Sequence, residues 1–232
     1  MVRLITFGDS WTAGHCTDLI EEGIIEEDDN VTNFFNDWAK VFKKPWPVIV
    51  ADRFNFVLEN NAIPGNCNKS IITQLYDFHL FNKFRTDDIV IVLLSTWHRD
   101  YRWQPESNAN FNSIFFKRSK SAYERQPQYR NISDLNVNKI AYDAFFDFFT
   151  VKSFLESIGV KYYIGWAFTQ VDDFKEHLTS EYVEDINGTK NLLEPFVNFC
   201  KFVNYEKLLH PTLDDHKRYS EYICNRIIDD GF

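Results

Sequence analysis

The chain begins with a short apolar run that ends abruptly in a small polar turn. Residues 2–7 read Val-Arg-Leu-Ile-Thr-Phe, which predicts a buried strand, and Gly-Asp-Ser follows at positions 8–10. Gly8 can adopt backbone angles that other residues resist, so we expect a sharp turn where the strand ends. Open α/β sheets bind ligands at the carboxyl ends of their strands, so Ser10 would lie at the ligand-binding edge. The alternative interpretation is a polar turn in which Ser10 caps a helix.

Strands and helices alternate along the rest of the sequence. Further strands are predicted at 54–59, 89–94 and 161–168, the second of which is the clearest buried strand. Apolar residues at helical spacing predict helices at 33–42, 71–84, 138–157 and 192–205, the first of which lies outside the residues described below. This alternation predicts an α/β fold, a three-layer α/β/α sandwich with a mainly parallel sheet. The length of 232 residues fits a single domain, with an irregular insertion at about 99–135 where no periodicity is clear.

The composition narrows the classes of function. The formal net charge of −9 argues against a general nucleic-acid binder. No apolar run approaches the length of a membrane span, so we expect no membrane partner. The first strand starts at residue 2 with no signal peptide before it, and we therefore expect synthesis in a cytoplasm. The four cysteines lack metal-like C-x-x-C pairing, and we expect free thiols with neither a metal nor a cofactor.

A second glycine-containing segment follows the predicted strand at 54–59. Residues 61–68 read Asn-Ala-Ile-Pro-Gly-Asn-Cys-Asn. Gly65 could present its N–H to a developing oxyanion with no side chain in the way. Asn68 opens the next predicted helix, and its side chain could either cap that helix or donate to the oxyanion. Taken alone, Asn68 favours the capping role.

A third segment lies near the end of the sequence, where His210 and Pro211 precede the last predicted helix. A loop histidine facing Ser10 could act as a general base for the serine hydroxyl. The proline would set the backbone as the helix begins. His216 falls inside the helix, which is more typical of a structural histidine.

These three segments, in this order, resemble sequence blocks of the SGNH (GDSL-type) serine hydrolases, including some phage-encoded members. The resemblance implies an SGNH-like fold with flavodoxin-like strand order, in which Ser10 is the nucleophile and His210 the base. It also implies an oxyanion hole formed by Ser10, Gly65 and Asn68. The implied reaction is hydrolysis of an ester on a small molecule or glycan, with an O-acetyl or similar acyl group on a carbohydrate as the favoured substrate. A phage-encoded member would be expected in the virion.

The sequence departs from the family pattern in two places. The family usually has Gly-x-Asn-Asp after the third strand, and its Asn completes the oxyanion hole. Here Ser-Thr-Trp-His-Arg occupies residues 95–99, and Ser95, Thr96, His98 or Arg99 could donate instead. The family also has Asp three residues before the histidine, where this chain has Lys207. These departures keep open a non-catalytic SGNH-like module that binds a glycan or a protein, for instance as a virion component.

The predicted insertion at 99–135 is basic and aromatic within an acidic protein. Arginines bind carboxylates or phosphates through two parallel hydrogen bonds, and aromatic rings pack against sugar faces. The segment is therefore expected to overhang the site or to form an assembly surface for a protein partner. Five side chains near the strand ends are candidates for substrate binding: Asp9, Trp11, Trp97, Arg99 and Trp103.

Overall fold

A computed structural model of the chain describes residues 1–14, 45–63, 66–95, 99–102, 112–115, 137–169, 171–200 and 211–231, with the backbone alone at 99–102, 112–115 and 137. The strands in these ranges are β1 (Arg3–Phe7), β2 (Val57–Asn60), β3 (Ile89–Leu94), β4 (Arg99–Arg102), β5 (Asn112–Phe115) and β6 (Lys161–Trp166). The α-helices are α1 (Ser10–Ala13), α2 (Trp46–Phe54), α3 (Asn68–Asn82), α4 (Val137–Ile158), α5 (Ser180–Asn187) and α6 (Leu213–Asp229). Two short 3₁₀ turns cover Val171–Phe174 and Phe196–Phe199.

The central sheet has the strand order β2-β1-β3-β6, and all of its pairings are parallel. Every residue of β3 is buried, as expected for a strand inside a parallel sheet that is covered on both faces. Beyond β6, Leu192 forms a parallel bridge with Ile164. This close approach requires Gly165, because a Cβ there would lie 3.0 Å from the carbonyl oxygen of Leu193. The predicted α/β fold with a mainly parallel sheet is confirmed.

Helices cover both faces of this sheet. The even-numbered residues of β3, such as Val92, pack with α3 and α4, whereas odd-numbered residues, such as Ile91, pack with α2 and α6. Side chains alternate between the faces because the strand period is two residues. On the first face Phe148 stacks on Trp166, and on the second Phe196 stacks on Tyr219. The three layers of the predicted sandwich are therefore present.

An ion-pair cluster lies where β3 begins. Asp88 is fully buried and accepts hydrogen bonds from Arg3 Nε (2.9 Å) and from the backbone N–H of Arg85 (2.7 Å). Arg3 also donates to Glu59 at the end of β2 (3.1 Å). Burial favours a higher pKa for Asp88, but the bonds from Arg3 and Arg85 outweigh it and hold that pKa below its usual range. The cluster connects β1, β2 and β3 at this end of the sheet.

Two segments differ from the sequence prediction. The strands β4 and β5 pair antiparallel, with Arg99 opposite Phe115, inside the stretch expected to be irregular. A two-stranded ladder can form without a buried face, so it leaves little apolar periodicity to detect. The helix predicted at 192–205 is also wrong in its described part, because Leu192 pairs beside β6 and only Phe196–Phe199 forms a 3₁₀ turn. None of the described helices is long and apolar enough to cross a bilayer.

Candidate functional site

The first turn of the site depends on Gly8, for a different reason than the sequence suggested. Gly8 does not have a positive φ, so no unusual backbone angle requires glycine there. A Cβ on Gly8 would instead lie 2.3 Å from Thr12 Oγ1 and 3.1 Å from the carbonyl oxygen of Leu93. Glycine therefore allows α1 to lie directly against the end of β3. The left-handed residue of this turn is Gly14, which ends α1 with φ of 99°.

Asp9 connects this turn to the end of β3. The side chain is fully buried, and its Oδ1 accepts from the backbone N–H of Trp11 (3.1 Å). Its Oδ2 accepts from the hydroxyl of Ser95 (2.8 Å). Asp9 is thus the N-cap of α1, and Ser10 is the first helical residue. The alternative in which Ser10 caps the helix is wrong, because Asp9 holds the N-cap position.

Asn68 lies at the start of α3, and its side-chain oxygen accepts from the backbone N–H of Ser95 (2.8 Å). A backbone N–H can only donate, so the amide oxygen must face Ser95 and the amide nitrogen Nδ2 must point away. Among the described residues, no hydrogen bond engages that nitrogen. The N-cap of α3 is Cys67, with no side-chain cap. The capping role favoured for Asn68 is therefore wrong, and its two N–H donors stay available.

Ser95 is the residue whose role the sequence did not reveal. It follows β3 directly, is buried, and is bonded to Asp9 through its hydroxyl and to Asn68 through its backbone N–H. Both bonds use donors of Ser95, its backbone N–H and its hydroxyl, within the protein. It connects the turn that carries Ser10 to the helix that carries Asn68. The only signal in the sequence was a hydroxyl residue directly after a buried strand.

The segment that carries His210 lies outside the described residues, but both of its ends are well described. Arg218 of α6 donates to the carbonyl oxygen of Phe199 before it (2.8 and 3.0 Å) and forms an ion pair with Asp215 after it. Asp215 and Thr212 form a reciprocal capping box that starts α6. The helix predicted after His210 is therefore confirmed.

Most of the remaining predicted site residues lie outside the described part of the chain. Gly65, Thr96, Trp97, His98, Trp103, Lys207 and His210 lie outside the described residues, and Arg99 is described only by its backbone in β4. The indole of Trp11 is buried between Phe168 (4.2 Å between ring centroids) and Phe196 (5.2 Å). These contacts, like the hydrogen bonds of Asp9, give both side chains a structural role at the positions expected to bind substrate.

Three further nucleophilic or basic side chains of the described residues have surroundings that fit structural roles. Burial, together with the nearby carboxylate of Asp215, raises the pKa of the Cys200 thiol to about 12, so it stays protonated at neutral pH. Burial also raises the pKa of Cys224. His216 is fully buried and accepts from the backbone N–H of Trp46 (3.3 Å), which fits the structural role expected for it. Within the described residues, no group of three or more potential ligands could hold a metal ion.

No family model matches the sequence, and no curated protein matches it. Among solved structures, the chain is similar to the psychrotrophic esterase EstA from Pseudoalteromonas sp., in a structure inhibited by monoethylphosphonate. The TM-score is 0.50 at 11% identity, covering 98% of this chain and 97% of that one. It is also similar to a carbohydrate esterase whose active site displays divergent catalytic and non-catalytic binding functions. There the TM-score is 0.52 at 13% identity, covering 98% of this chain but only 64% of that one.

A member of the lipolytic protein G-D-S-L family from Veillonella parvula is also similar, with a TM-score of 0.43 at 10% identity over 99% of this chain and 97% of that one. At such low identities the likeness to EstA and to the carbohydrate esterase concerns the fold alone. The chain has the α/β fold found in those esterases. The structures give no support to the phage-encoded origin expected from the sequence.

Proposed function

We propose that this chain is a serine hydrolase that cleaves a carboxylic ester, with Ser10 as the nucleophile and His210 as the general base. The observation that carries the proposal is the buried hydrogen-bonded chain from Asp9 through Ser95 to Asn68. It holds a side-chain amide with two available donors next to the turn whose first helical residue is Ser10.

The reaction follows from the roles of these groups. The Ser10 hydroxyl oxygen adds to the ester carbonyl while its proton passes to His210. The resulting oxyanion accepts hydrogen bonds from the backbone N–H groups of Ser10 and Gly65 and from Nδ2 of Asn68. The intermediate collapses to an acyl-serine as His210 returns the proton to the leaving alcohol. Water then adds to the acyl group with His210 again as base, releasing the acid and the free serine.

In this proposal Asn68 supplies the amide that the family usually places after the third strand. Its orientation is set by the N–H of Ser95, so the donor needs no rearrangement when charge develops. Removing one such donor costs roughly 10²–10³-fold in turnover in serine hydrolases. In this proposal α3 would supply the amide that is missing after β3, because Asn68 is bonded to the backbone N–H of Ser95 at the end of that strand.

Lys207 lies at the position where the SGNH family has the acid that orients the histidine. In serine proteases, loss of the acid that orients the histidine costs roughly 10⁴-fold in turnover. A charged lysine cannot accept a hydrogen bond from the imidazole. His210 would then depend on a backbone carbonyl or on Glu206 for its orientation. We expect slow turnover of small activated esters, with an O-acetyl or similar acyl group on a carbohydrate as the natural substrate.

The second candidate is a non-catalytic module that binds a glycan or a protein, for which the segment at 99–135 would supply the surface. Lys207 at the position of the orienting acid favours it. The two functions differ in whether Ser10 is activated, because a binding module has no use for a nucleophilic serine.

Labelling with a fluorophosphonate probe, which reacts with an activated serine whatever the substrate, tests the proposal. We expect the wild type to be labelled and Ser10→Ala to be unlabelled. Ser157→Ala is the matched control, because this serine lies at the far end of α4 and donates only to the carbonyl oxygen of Phe154 (2.7 Å). That variant should label like the wild type. A wild type that shows neither labelling nor Ser10-dependent turnover of p-nitrophenyl acetate would favour the binding module.

A further inference from the structure

A second cleft lies beside the candidate site, between the end of β2 and the outer face of α3. Its volume is about 380 Å³, near the lower limit of small-molecule pockets. Neither Ser10 nor Asn68 lines it. The segment from Asn60 to Ile63 forms one wall of this cleft. The same segment is bonded to the turn that carries Ser10, because the N–H of Ile63 donates to the carbonyl oxygen of Gly8 (3.1 Å).

One stripe of α3 forms the opposite wall. The stripe consists of Gln74, Asp77, Phe78, Phe81 and Asn82, which all line the cleft. Their spacing of i, i+3, i+4, i+7 and i+8 places them on one helix face. Phe78 is buried and packs edge-to-face against Phe7 (5.7 Å), so these two rings form an apolar floor. Phe81 is 77% exposed and lines the same cleft, so a bound ligand could cover its ring.

The polar groups around Phe81 offer both donors and acceptors. The oxygen of Gln74 accepts from Asn66 Nδ2 (2.8 Å), so its amide nitrogen is left to donate. The Nδ2 of Asn61 donates to the carbonyl oxygen of Glu59 (3.1 Å), so its amide oxygen is left to accept. Asp77 adds a carboxylate, which only accepts. A ligand of this cleft must therefore carry groups that donate and groups that accept, next to an apolar face.

We propose that this cleft binds one or two rings of a neutral carbohydrate. Sugar hydroxyls both donate and accept, and the C–H face of a pyranose ring can lie against Phe81 above the apolar floor. An anionic ligand is disfavoured because the described residues that line the cleft include the carboxylate of Asp77 but no Lys or Arg. A nucleic acid could stack a base on Phe81, but the carboxylate and the net charge of −9 oppose its phosphates.

The cleft gives the proposed reaction a means of holding a polymeric substrate, and in this respect the inference rests on the proposed function. Gln74 is bonded to Asn66, which precedes the amide donor Asn68 by two residues. A sugar bound in the cleft would therefore lie next to the wall that separates it from Ser10. A carbohydrate chain that extends over this wall would bring an acylated neighbouring ring to the serine.

The test is to titrate the full chain with xylohexaose, cellohexaose and chitohexaose and to measure binding by isothermal titration calorimetry and by NMR of isotope-labelled protein. We expect at least one of these neutral hexasaccharides to bind, and Phe81→Ala to weaken that binding about tenfold, as truncation of an aromatic anchor does. Asp77→Asn should weaken it by a smaller factor. Leu80→Ala is the matched control, because Leu80 is 60% exposed on the same helix but does not line the cleft.

The inference is overturned if none of the three hexasaccharides binds, if Phe81→Ala binds like the wild type, or if oligothymidylate binds in their place. Turnover of p-nitrophenyl acetate by the wild type provides a separate readout, because this small ester does not need the cleft. Carbohydrate binding without Ser10-dependent turnover would leave the cleft assigned and the hydrolase proposal wrong. Turnover that depends on Ser10 without carbohydrate binding would support the hydrolase proposal and show that the assignment of the cleft is wrong.

Discussion

The hydroxyl of Ser95 is predicted to stabilise the contact between the turn that carries Ser10 and the end of β3. Ser95→Ala removes one oxygen, and with it the 2.8 Å hydrogen bond to Asp9, while the backbone N–H that holds Asn68 is kept. Asp9 is fully buried and accepts donors at both oxygens, as an ionised carboxylate does. A hydrogen bond to a charged group contributes about 1.5–3 kcal/mol. For a domain of this size, that loss lowers Tm by roughly 3–12 °C.

The measurement is urea unfolding followed by far-UV circular dichroism, at neutral pH. The matched control is Ser220→Ala, because Ser220 is also buried but donates to a neutral acceptor, the carbonyl oxygen of Lys217 (2.7 Å). That change should cost less than about 1 kcal/mol, since alanine also favours the helix. A double-mutant cycle of Ser95→Ala with Asp9→Ala isolates the pair. A coupling energy below about 0.5 kcal/mol would refute the reasoning.

Four further substitutions and one acid titration have expected outcomes. Asn68→Ala should lower kcat for p-nitrophenyl acetate by roughly 10²–10³-fold with little change in KM, as measured by steady-state kinetics. Lys207→Asp should raise the same kcat, if the loop accepts the orienting acid. Asp88→Asn should cost about 1.5–3 kcal/mol in urea unfolding, because a neutral acceptor replaces the charged one while Glu59 still pairs with Arg3. Since the pKa of Asp88 is lowered by folding, its contribution is complete above the unfolded value near 3.9 and is lost as pH falls through the folded value, which acid titration of Tm will show. Gly8→Ala should destabilise the chain by roughly 1–3 kcal/mol through overpacking, measured in the same unfolding assay.

The sheet and its two helical layers could be predicted because their signals are local. The strand predicted at 89–94 is observed as Ile89–Leu94, and the helix predicted at 138–157 is observed as Val137–Ile158. An uninterrupted apolar hexapeptide bounded by polar residues is typical of a buried parallel strand. The antiparallel pair of β4 and β5 could not be found in this way, since the sequence of the stretch at 99–135 shows no clear periodicity.

The site was predictable in its residue types but not in its partners. Asn68 and Ser95 are 27 residues apart, and Ser95 and Asp9 are 86 apart, so no local pattern relates them. Their contact follows from strand order, because β1 and β3 are neighbours and Phe7 lies opposite Val92. Gly8 and Leu93 are also far apart in the sequence. The sequence alone therefore did not show that position 8 needs glycine to leave room against the carbonyl oxygen of Leu93.

In the proposed hydrolase, the two bonds of Ser95 would allow the site to differ from the usual SGNH pattern without losing an amide donor. The bond that orients Asn68 comes from a backbone N–H, which any residue except proline would supply at position 95. The bond to Asp9 comes from the side chain, which is why a hydroxyl is needed there. Orientation of the proposed donor and support of the Ser10 turn are therefore separable. Ser95→Ala should weaken the turn while keeping the Asn68 amide in place, whereas Asn68→Ala should remove the donor and leave the Asp9 bond intact.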